Sequence, residues 1–480
     1  MEKENGGTRT PPVADTETYR DHIATVDEQG KRIWIYPKKP DGTYYNIRTY
    51  VSWVLLALLF GMPFIKINGD PLFLFNILER RFILFGVVFT PQDMHLFALA
   101  MITLVVFIVL FTVVFGRLFC GWVCPQTIFM EMVFRKIEYA IEGDANQQRK
   151  LNLSPWTQDK IIKKVAKHAI FYLIAIVIAN TFLAYIIGID NLIQIISEPV
   201  SQHMGGFIAL LIFSAVFYFV FARFREQVCI VVCPYGRLQS VMLVKESIVV
   251  VYDWIRGEPR GKIRKKKQPE SEQLPELGDC IDCKLCVQVC PTGIDIRNGT
   301  QLECVNCTAC IDACDNVMEK INRPKGLIRY DSISGIEKGD KKIFNTRVWA
   351  YSTVLLALIG LQVYLFSIRN DIEAVVLRTP GMLYQEVDDE FISNLYNYQL
   401  INKTSKDIQN IRFELRTEGG RIKTVGSIPA ATKQAISEGA FFIEMERDIL
   451  RGRKNKIVID VYSGEEKIDD VSTNFLGPPK

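Results

Sequence analysis

The sequence predicts a multi-domain membrane protein with a five-helix α transmembrane part, a ferredoxin-like di-cluster insert of the α+β class and a C-terminal all-β sandwich of the immunoglobulin-like type. Three observations lead to this prediction. Five apolar stretches are each long enough to cross a bilayer, which takes about 20 residues. Two four-cysteine runs lie between the fourth and fifth stretches. Short β-rich segments separated by glycines fill residues 370–480, at a spacing typical of a sandwich.

The membrane spans divide the chain into five segments: residues 1–48 (N-terminal arm), 49–245 (spans one to four), 246–345 (insert), 346–367 (fifth span) and 368–480 (sandwich). The spans are expected at Thr49–Ile67, Asp93–Phe115, Ala166–Ile187, Gly205–Phe221 and Thr346–Ser367. A sixth apolar run, Phe82–Thr90, is too short to cross and is predicted to be interfacial or re-entrant. The sandwich, without a disulfide, is expected to use strands at Ile372–Leu377, Leu395–Ile401, Ile408–Leu415, Ala440–Met445 and Lys456–Tyr462.

Basic residues indicate the orientation. Lys and Arg crowd the connections after the second and fourth spans, including the run Lys262–Lys267, and neither occurs between the third and fourth spans. The positive-inside rule then predicts a cytoplasmic N-terminal arm and insert and a periplasmic C-terminal domain. All twelve cysteines precede residue 315. This agrees with the predicted orientation, because free thiols persist in a reducing compartment.

The net charge of +4 is too small to indicate nucleic acid binding. The basic run is better explained as a segment beside anionic lipid headgroups.

The insert contains eight cysteines in two C-x2-C-x2-C-x3-C runs, with Pro291 after the first run and Asp315 after the second. This spacing is typical of two 4Fe–4S clusters, in which the fourth cysteine of each run ligates the other cluster. The predicted first set is Cys280, Cys283, Cys286 and Cys314, and the predicted second set is Cys290, Cys304, Cys307 and Cys310. Structural zinc is less favoured because it usually pairs two C-x2-C knuckles. Disulfides would need an oxidising compartment.

Two C-x3-C-P motifs follow the second and fourth spans, with cysteines Cys120 and Cys124, and Cys229 and Cys233. If the helix continues through each motif, positions i and i+4 lie on one face and both thiols can share a ligand. Four thiols at one membrane edge form a soft site, for which Cu(I), zinc or an iron–sulfur cluster is a candidate. The alternative is that these cysteines pack as small apolar groups.

The other ends of the same spans also correspond, as Met94-His95 and His203-Met204. A metal role for these pairs is the weaker hypothesis, because histidine and methionine commonly occupy helix ends.

The segments Cys290–Arg297, Cys310–Asp315 and Gly326–Tyr330 resemble the FixG/CcoG (also RdxA) family, accessory proteins of the cbb-type haem–copper cytochrome c oxidases in bacteria. The order of the parts is similar throughout. The resemblance implies a cupric reductase of the bacterial cytoplasmic (inner) membrane that converts Cu(II) to Cu(I) for oxidase assembly. The insert cysteines would hold two 4Fe–4S clusters, while Cys120, Cys124, Cys229 and Cys233 would handle copper. The implied partners are a cytoplasmic electron donor and a copper chaperone or oxidase assembly factors.

Two other functions stay open. The same plan is similar to NapH and NosR-type electron-transfer proteins, which favours a quinol-linked relay, an electron carrier without a substrate of its own, that serves a partner reductase. The third possibility is a structural assembly factor whose clusters only hold the insert together.

Overall fold

The computed structural model describes residues 25–478, apart from positions 28, 68, 78–80, 90–92, 263–276, 340–344, 371, 382, 389, 405–406, 427–429 and 433–435. The start of the N-terminal arm and most of the basic run at 262–267 therefore lie outside the described residues. The chain forms two compact units. One contains the chain up to Gly61 with Ile102–Ala184 and Asp190–Leu358, and the other contains Met62–Met101, Tyr185–Ile189 and Ile359–Lys480.

Five helices in the described residues are long and apolar enough to cross a membrane: Thr43–Phe64, Met94–Phe115, Gln158–Ile187, Met204–Phe224 and Thr346–Ser367. They confirm the five predicted spans, so the chain is a multi-pass membrane protein. The first and third helices begin earlier than the predicted Thr49 and Ala166. The hydropathy pattern does not mark the first turns of these two helices, because they are polar. Contacts with the rest of the protein nevertheless bury part of them, and Arg48 in the first helix is only 4% exposed.

Shorter helical segments connect the spans. The α-helices are Leu118–Trp122, Pro125–Thr127, Arg135–Ile141, Ala145–Leu153, Ile189–Ser197 and Pro234–Met242. Single 3-10 turns lie at Met62–Phe64 and Val200–Gln202, and π-helical turns lie at Ile128–Phe134, Val220–Phe224 and Val228–Val232. The π turns flank or contain the two C-x3-C-P motifs, and such turns occur frequently at functional sites.

Five short strands follow the first span: β1 (Lys66–Ile67), β2 (Asp70–Pro71), β3 (Phe73–Asn76), β4 (Arg81–Leu84) and β5 (Val87–Phe89). β1 pairs with β2, and β3, β4 and β5 form an antiparallel sheet. The described part of the run Phe82–Thr90 is thus a hairpin of β4 and β5. Phe85 and Gly86 between them both have positive φ, at 53° and 77°, as a two-residue hairpin turn of the primed type requires. The placement of this hairpin relative to the membrane stays a prediction.

The insert begins and ends on paired strands. β6 (Val249–Tyr252) runs antiparallel to β7 (Ile328–Asp331). Between and after them lie the helices Trp254–Gly257, Leu285–Gln288, Ala309–Lys320 and Ile333–Lys338 and a 3-10 turn at Ile296–Asn298. Val250, Ile311, Met318, Leu327 and Ile328 form the centre of its core, each no more than 2% exposed. The predicted α+β class of the insert is confirmed.

The C-terminal domain is an all-β sandwich, as predicted. Its strands are β8 (Ile372–Arg378), β9 (Gln385–Asp388), β10 (Phe391–Asn402), β11 (Ile411–Leu415), β12 (Gly420–Val425), β13 (Ile436–Glu446), β14 (Lys454–Ser463) and β15 (Glu466–Leu476). One sheet has the order β12-β13-β10-β8 with β9 also on β10, and the other has the order β11-β14-β15. Tyr396, Phe441, Ile457 and Phe475 fill the space between them, fully buried.

Asp93, immediately before the second spanning helix, is the centre of a buried ion-pair cluster in the second unit. Its carboxylate oxygens lie 2.8 Å from Arg369 Nη2 and 2.8 Å from Lys403 Nζ. Arg369, after the fifth spanning helix, also donates to the carbonyl oxygen of Val88. Lys403, after β10, lies 3.0 Å from Glu373 as well. Loss of the Asp93 carboxylate would take one acidic partner from each buried cation and leave Lys403 with Glu373, and incompletely paired buried charges are destabilising.

Candidate metal centres

Both C-x3-C-P motifs have the same local structure, and in neither does the helix continue through the second cysteine. Cys120 lies in the helix Leu118–Trp122, and Cys229 lies in the π turn Val228–Val232. Cys124 and Cys233 have ψ angles of 123° and 113°, outside the helical range, and the proline after each begins a new helix. The expectation of two thiols stacked one helical turn apart is therefore wrong. The residue before a proline is disfavoured in the helical region, and proline itself fits the first helical position.

The four thiols of these motifs nevertheless lie in one neighbourhood. Burial, together with the nearby thiols of Cys124 and Cys233, raises the pKa of the Cys120 thiol to about 11 and that of the Cys229 thiol to about 12. The fully buried Gln239, on the helix after the second motif, donates from Nε2 to Cys120 Sγ at 3.1 Å. Among the described residues no three His, Cys, Asp or Glu side chains are arranged to hold one metal ion.

The two cysteine runs of the insert share an unusual backbone conformation. The residues on either side of the second cysteine have positive φ in both runs: Asp282 at 51° and Lys284 at 58°, and Asn306 at 53° and Thr308 at 67°. Alternation of left- and right-handed backbone conformations turns successive N–H groups toward one concavity, a nest found at many iron–sulfur sites. In each run the third cysteine then lies in the first turn of a helix.

The fourth cysteine of each run lies with the other run. The thiols of Cys286, Cys280 and Cys283 lie near that of Cys314, whose pKa is raised by burial and by these neighbours. In the same way, burial and the nearby thiols of Cys307, Cys304 and Cys290 raise the pKa of Cys310. These neighbourhoods match the two predicted sets, although the ligand roles themselves stay a prediction.

A cavity lies within the second set. Cys290, Cys304, Cys307 and Cys310 line it, with Cys286 and apolar side chains completing the wall. Four thiols that line one cavity fit a 4Fe–4S group. Cys283 in the first set is exposed, whereas the other seven insert cysteines are buried or partly buried.

The second set lies directly against the first C-x3-C-P motif. A Cβ added at Gly121 would lie 2.5 Å from the carbonyl oxygen of Val305 and 2.7 Å from that of Asn306. The insert backbone can approach this closely because glycine has no side chain. Arg48 spans the contact, donating from Nε to the Gly121 carbonyl oxygen at 2.6 Å and from Nη1 to the Cys307 carbonyl oxygen at 3.4 Å.

Arg117 makes a second connection at this contact. It donates from Nη1 to the carbonyl oxygens of Leu302 and Cys304, the latter at 3.2 Å, and from Nη2 to that of Gly236 at 2.9 Å. Gly236 follows the second motif, so one side chain joins the insert to both motifs. Sequence reasoning missed Arg48, Arg117 and Gln239. A usable signal was present for the two arginines, since ionisable residues within or beside an apolar span are usually functional or paired.

The Met–His pairs at the other helix ends receive no support as metal sites. His203 contacts the carboxylate of Glu198 through Nε2, and both side chains are about one-third exposed. Met94 and Met204 are each about half exposed. Their metal role stays a hypothesis.

Five membrane spans, a di-cluster insert and an antiparallel sandwich define this protein as a membrane-bound iron–sulfur electron-transfer protein. Three family models match the chain. One described as a 4Fe-4S binding domain matches residues 97–141, and a 4Fe-4S dicluster domain matches residues 224–333. The IG-like fold at the C-terminal of FixG, whose description also names an oxidoreductase, matches residues 362–478.

The curated relatives identify the family. Protein RdxA of Cereibacter sphaeroides is 34% identical over 80% of this chain and 82% of its own length. Protein RdxB of the same organism is 34% identical over 83% and 87%. Nitrogen fixation protein FixG of Rhizobium meliloti is 37% identical over 63% of this chain, and the match spans 58% of the length of FixG. The chain belongs to the family of FixG and RdxA, as its cysteine pattern predicts.

Proposed function

We propose that this protein is a membrane-bound cupric reductase that converts Cu(II) to Cu(I) for the assembly of a cbb-type cytochrome c oxidase. The observation that carries the proposal is the direct contact between the second cysteine set and the first C-x3-C-P motif at Gly121. It brings a site suited to one-electron chemistry next to four thiols that share one neighbourhood.

The chain's own residues have distinct tasks in this function. The eight insert cysteines hold the two 4Fe–4S clusters, which supply single electrons when bound. The thiols of Cys120, Cys124, Cys229 and Cys233 bind the copper substrate, and soft sulfur ligands stabilise Cu(I) over Cu(II). One electron reduces one Cu(II) to Cu(I), so the same ligands favour both reduction and retention of the ion.

The predicted orientation in the membrane indicates the side on which each partner would act. With the N-terminal arm and insert in the bacterial cytoplasm, an electron donor there would approach the first set at the exposed Cys283. A copper chaperone or an oxidase assembly factor would receive Cu(I). The sandwich would lie in the periplasm.

Serine at all four motif cysteines, Cys120, Cys124, Cys229 and Cys233, is expected to reduce the formation of trapped Cu(I) to the rate of protein-free buffer. The substitution removes the soft ligands and leaves the insert cysteines intact. The measurement uses anaerobically purified, dithionite-reduced protein with Cu(II) and a chelator that reports Cu(I), alongside iron analysis and EPR.

The matched control is Cys283→Ser, which is expected to lose iron from the first set and still bind Cu(I) at the motif thiols. Copper reduction that continues unchanged in the four-serine variant would contradict the copper role. Loss of iron from that variant would instead assign these thiols to an iron–sulfur cluster. This outcome is a defined alternative, because the 4Fe-4S family model that matches residues 97–141 includes Cys120 and Cys124.

A quinol-linked relay to a partner reductase is the second candidate function, and a cavity beside the third and fourth spanning helices favours it. Trp34, Glu138, Glu142, His168 and Tyr218 are among the residues that line it. His168 Nδ1 lies 2.9 Å from the Tyr218 hydroxyl. An aromatic wall with a histidine would hold a quinol ring, and His168 would accept one of the two protons released with its two electrons. Glu138 and Glu142 are held in ion pairs with Arg225 and Lys167 and would supply negative charge beside the histidine.

Quinol added to proteoliposomes is expected, on this alternative, to reduce the clusters in the unaltered protein. In His168→Gln the rate should fall about 100-fold, the lower end of what a positioned proton acceptor contributes. His203→Gln, at a contact with the partly exposed Glu198, is the control and should respond like the unaltered protein. If quinol leaves the clusters of the unaltered protein oxidised, the relay is excluded.

A further inference from the structure

We infer that Trp122 and Tyr330 form the electron path from the second cysteine set to the thiols of the first C-x3-C-P motif. This assignment rests on the proposed function and names the residues that connect its two sites. Neither aromatic is a predicted ligand. Trp122 lies inside the first C-x3-C-P motif, and Tyr330 lies outside both cysteine runs of the insert.

The path is an unbroken series of covalent and hydrogen bonds. The carbonyl of Asn306 belongs to the peptide that joins Asn306 to Cys307, and the Tyr330 hydroxyl donates to this oxygen at 3.1 Å. Trp122 Nε1 donates to the same hydroxyl at 2.9 Å. Trp122 lies midway between the two cysteines of the first motif, Cys120 and Cys124. Each step from the second set to the motif is therefore a bond or a short polar contact.

The surroundings hold these groups in fixed positions. Tyr330 lies on β7, opposite Val250 of β6, and the Val250 N–H donates to Asn306 Oδ1 at 3.3 Å. Arg48 binds the carbonyls of both Gly121 and Cys307, one on each side of the contact. Hydrogen bonds from the membrane part and from the insert thus hold Trp122, Tyr330 and the Asn306 peptide in place relative to one another.

The Trp122 N–H and the Tyr330 hydroxyl contribute hydrogen bonds in addition to packing. Phenylalanine at position 330 would occupy nearly the same volume as tyrosine, yet it could not bridge Asn306 and Trp122. Phenylalanine at position 122 would remove the indole N–H together with part of the ring, and Trp254→Phe removes the same atoms. Trp254 in the same insert provides the comparison, because its buried Nε1 has no hydrogen-bond partner among the described residues. The indole N–H of Trp122 donates a hydrogen bond to Tyr330, whereas that of Trp254 donates none to the described residues.

In each turnover one electron leaves the reduced second site and one Cu(II) at the motif thiols becomes Cu(I). No bond is broken and no proton is transferred, so Trp122 and Tyr330 are unchanged at the end. They are positioning residues, because they contact neither copper nor the predicted cluster ligands' side chains.

The test uses the full-length protein with its clusters, reduced with dithionite, freed of excess reductant and mixed rapidly with Cu(II). Trp122→Phe and Tyr330→Phe are each expected to slow cluster reoxidation about 10- to 100-fold, the range for partners one step removed from metal ligands. The double variant should be no slower than the slower single variant, because both changes interrupt one series. Trp254→Phe should reoxidise at the unaltered rate.

Two measurements separate a path from a structural effect. The EPR spectrum and midpoint potentials of the clusters, and the equilibrium binding of Cu(I) to the motif thiols, should be the same in all variants. Reoxidation at the unaltered rate in both single variants overturns the path alone. If copper fails to reoxidise the clusters of the unaltered protein, the proposed function and the path are both overturned. Slowing accompanied by altered EPR spectra assigns the two residues to cluster assembly and also overturns the path.

Discussion

Serine at Cys290 is expected to remove iron from the cysteines of the other run and to leave the cysteines of its own run protected. Cys290 lies with Cys304, Cys307 and Cys310 at the cavity that they line, although the three cysteines before it in its own run belong to the first predicted set. Loss of one thiolate ligand of four should cost about half of the total iron. Alkylation of the anaerobic protein, followed by peptide mass spectrometry, locates the loss: Cys304, Cys307 and Cys310 should become labelled.

Cys314→Ser is the mirror-image control. Its thiol lies near Cys280, Cys283 and Cys286, so these three should become labelled while the second set stays protected. Cys283 is the sensitive reporter because it is exposed even in the folded insert. Labelling confined to the run that carries the substitution, in either variant, would contradict the crosswise arrangement.

Gly121→Ala is expected to separate the insert from the first C-x3-C-P motif. The added methyl group would lie 2.5 Å and 2.7 Å from two carbonyl oxygens of the insert backbone, and backbone cannot turn aside as a flexible side chain can. Overpacking of this kind typically costs about 1–3 kcal/mol and occasionally more. The thermal unfolding temperature of the detergent-solubilised protein should fall, and copper-driven reoxidation of the clusters should slow with it.

Gly206→Ala is the matched control, a helical glycine with no atom within 4 Å of the added methyl group. There alanine should be neutral or stabilise by up to about 1 kcal/mol, because it has the higher helix propensity. Equal unfolding temperatures for the two variants would show that the contact at Gly121 tolerates displacement.

The sequence predicted the cysteine neighbourhoods but not the contacts between the insert and the membrane part. Ligand spacing is a local property of the chain, so the two C-x2-C-x2-C-x3-C runs indicated which thiols would meet. Arg48, Arg117 and Tyr330 make contacts across 185 to 259 positions of sequence, the longest from Arg48 to Cys307, and no periodicity marks such pairs. Helix continuation through the C-x3-C-P motifs failed for a local reason, since the constraint that proline imposes on the preceding cysteine outweighed the apolar pattern.

The sandwich shows a similar division. The sequence predicts strands with alternate buried residues, such as β8 and β11, and the largely buried strands β10 and β14, whereas it does not predict β9, β12 and β15. β15 contains a Glu, a Lys and two Asp residues and has one paired neighbour, β14; β12 is the outermost strand of its sheet and is mostly exposed. An edge strand buries little apolar surface and often carries charge that discourages further pairing, so the composition of these strands gave no β signal.

The ion-pair cluster around Asp93 has a consequence for the isolated sandwich. Lys403 pairs with Glu373 inside the sandwich and with Asp93, which lies 310 positions earlier in the chain, so the sandwich supplies only one of the two carboxylates. A separately expressed sandwich would contain Lys403 without Asp93, and a cut at the predicted boundary near residue 368 would discard one of the charges that Lys403 requires. The isolated sandwich is therefore expected to be less stable than the same domain in the full chain, because Lys403 would keep Glu373 as its acidic contact and lose Asp93.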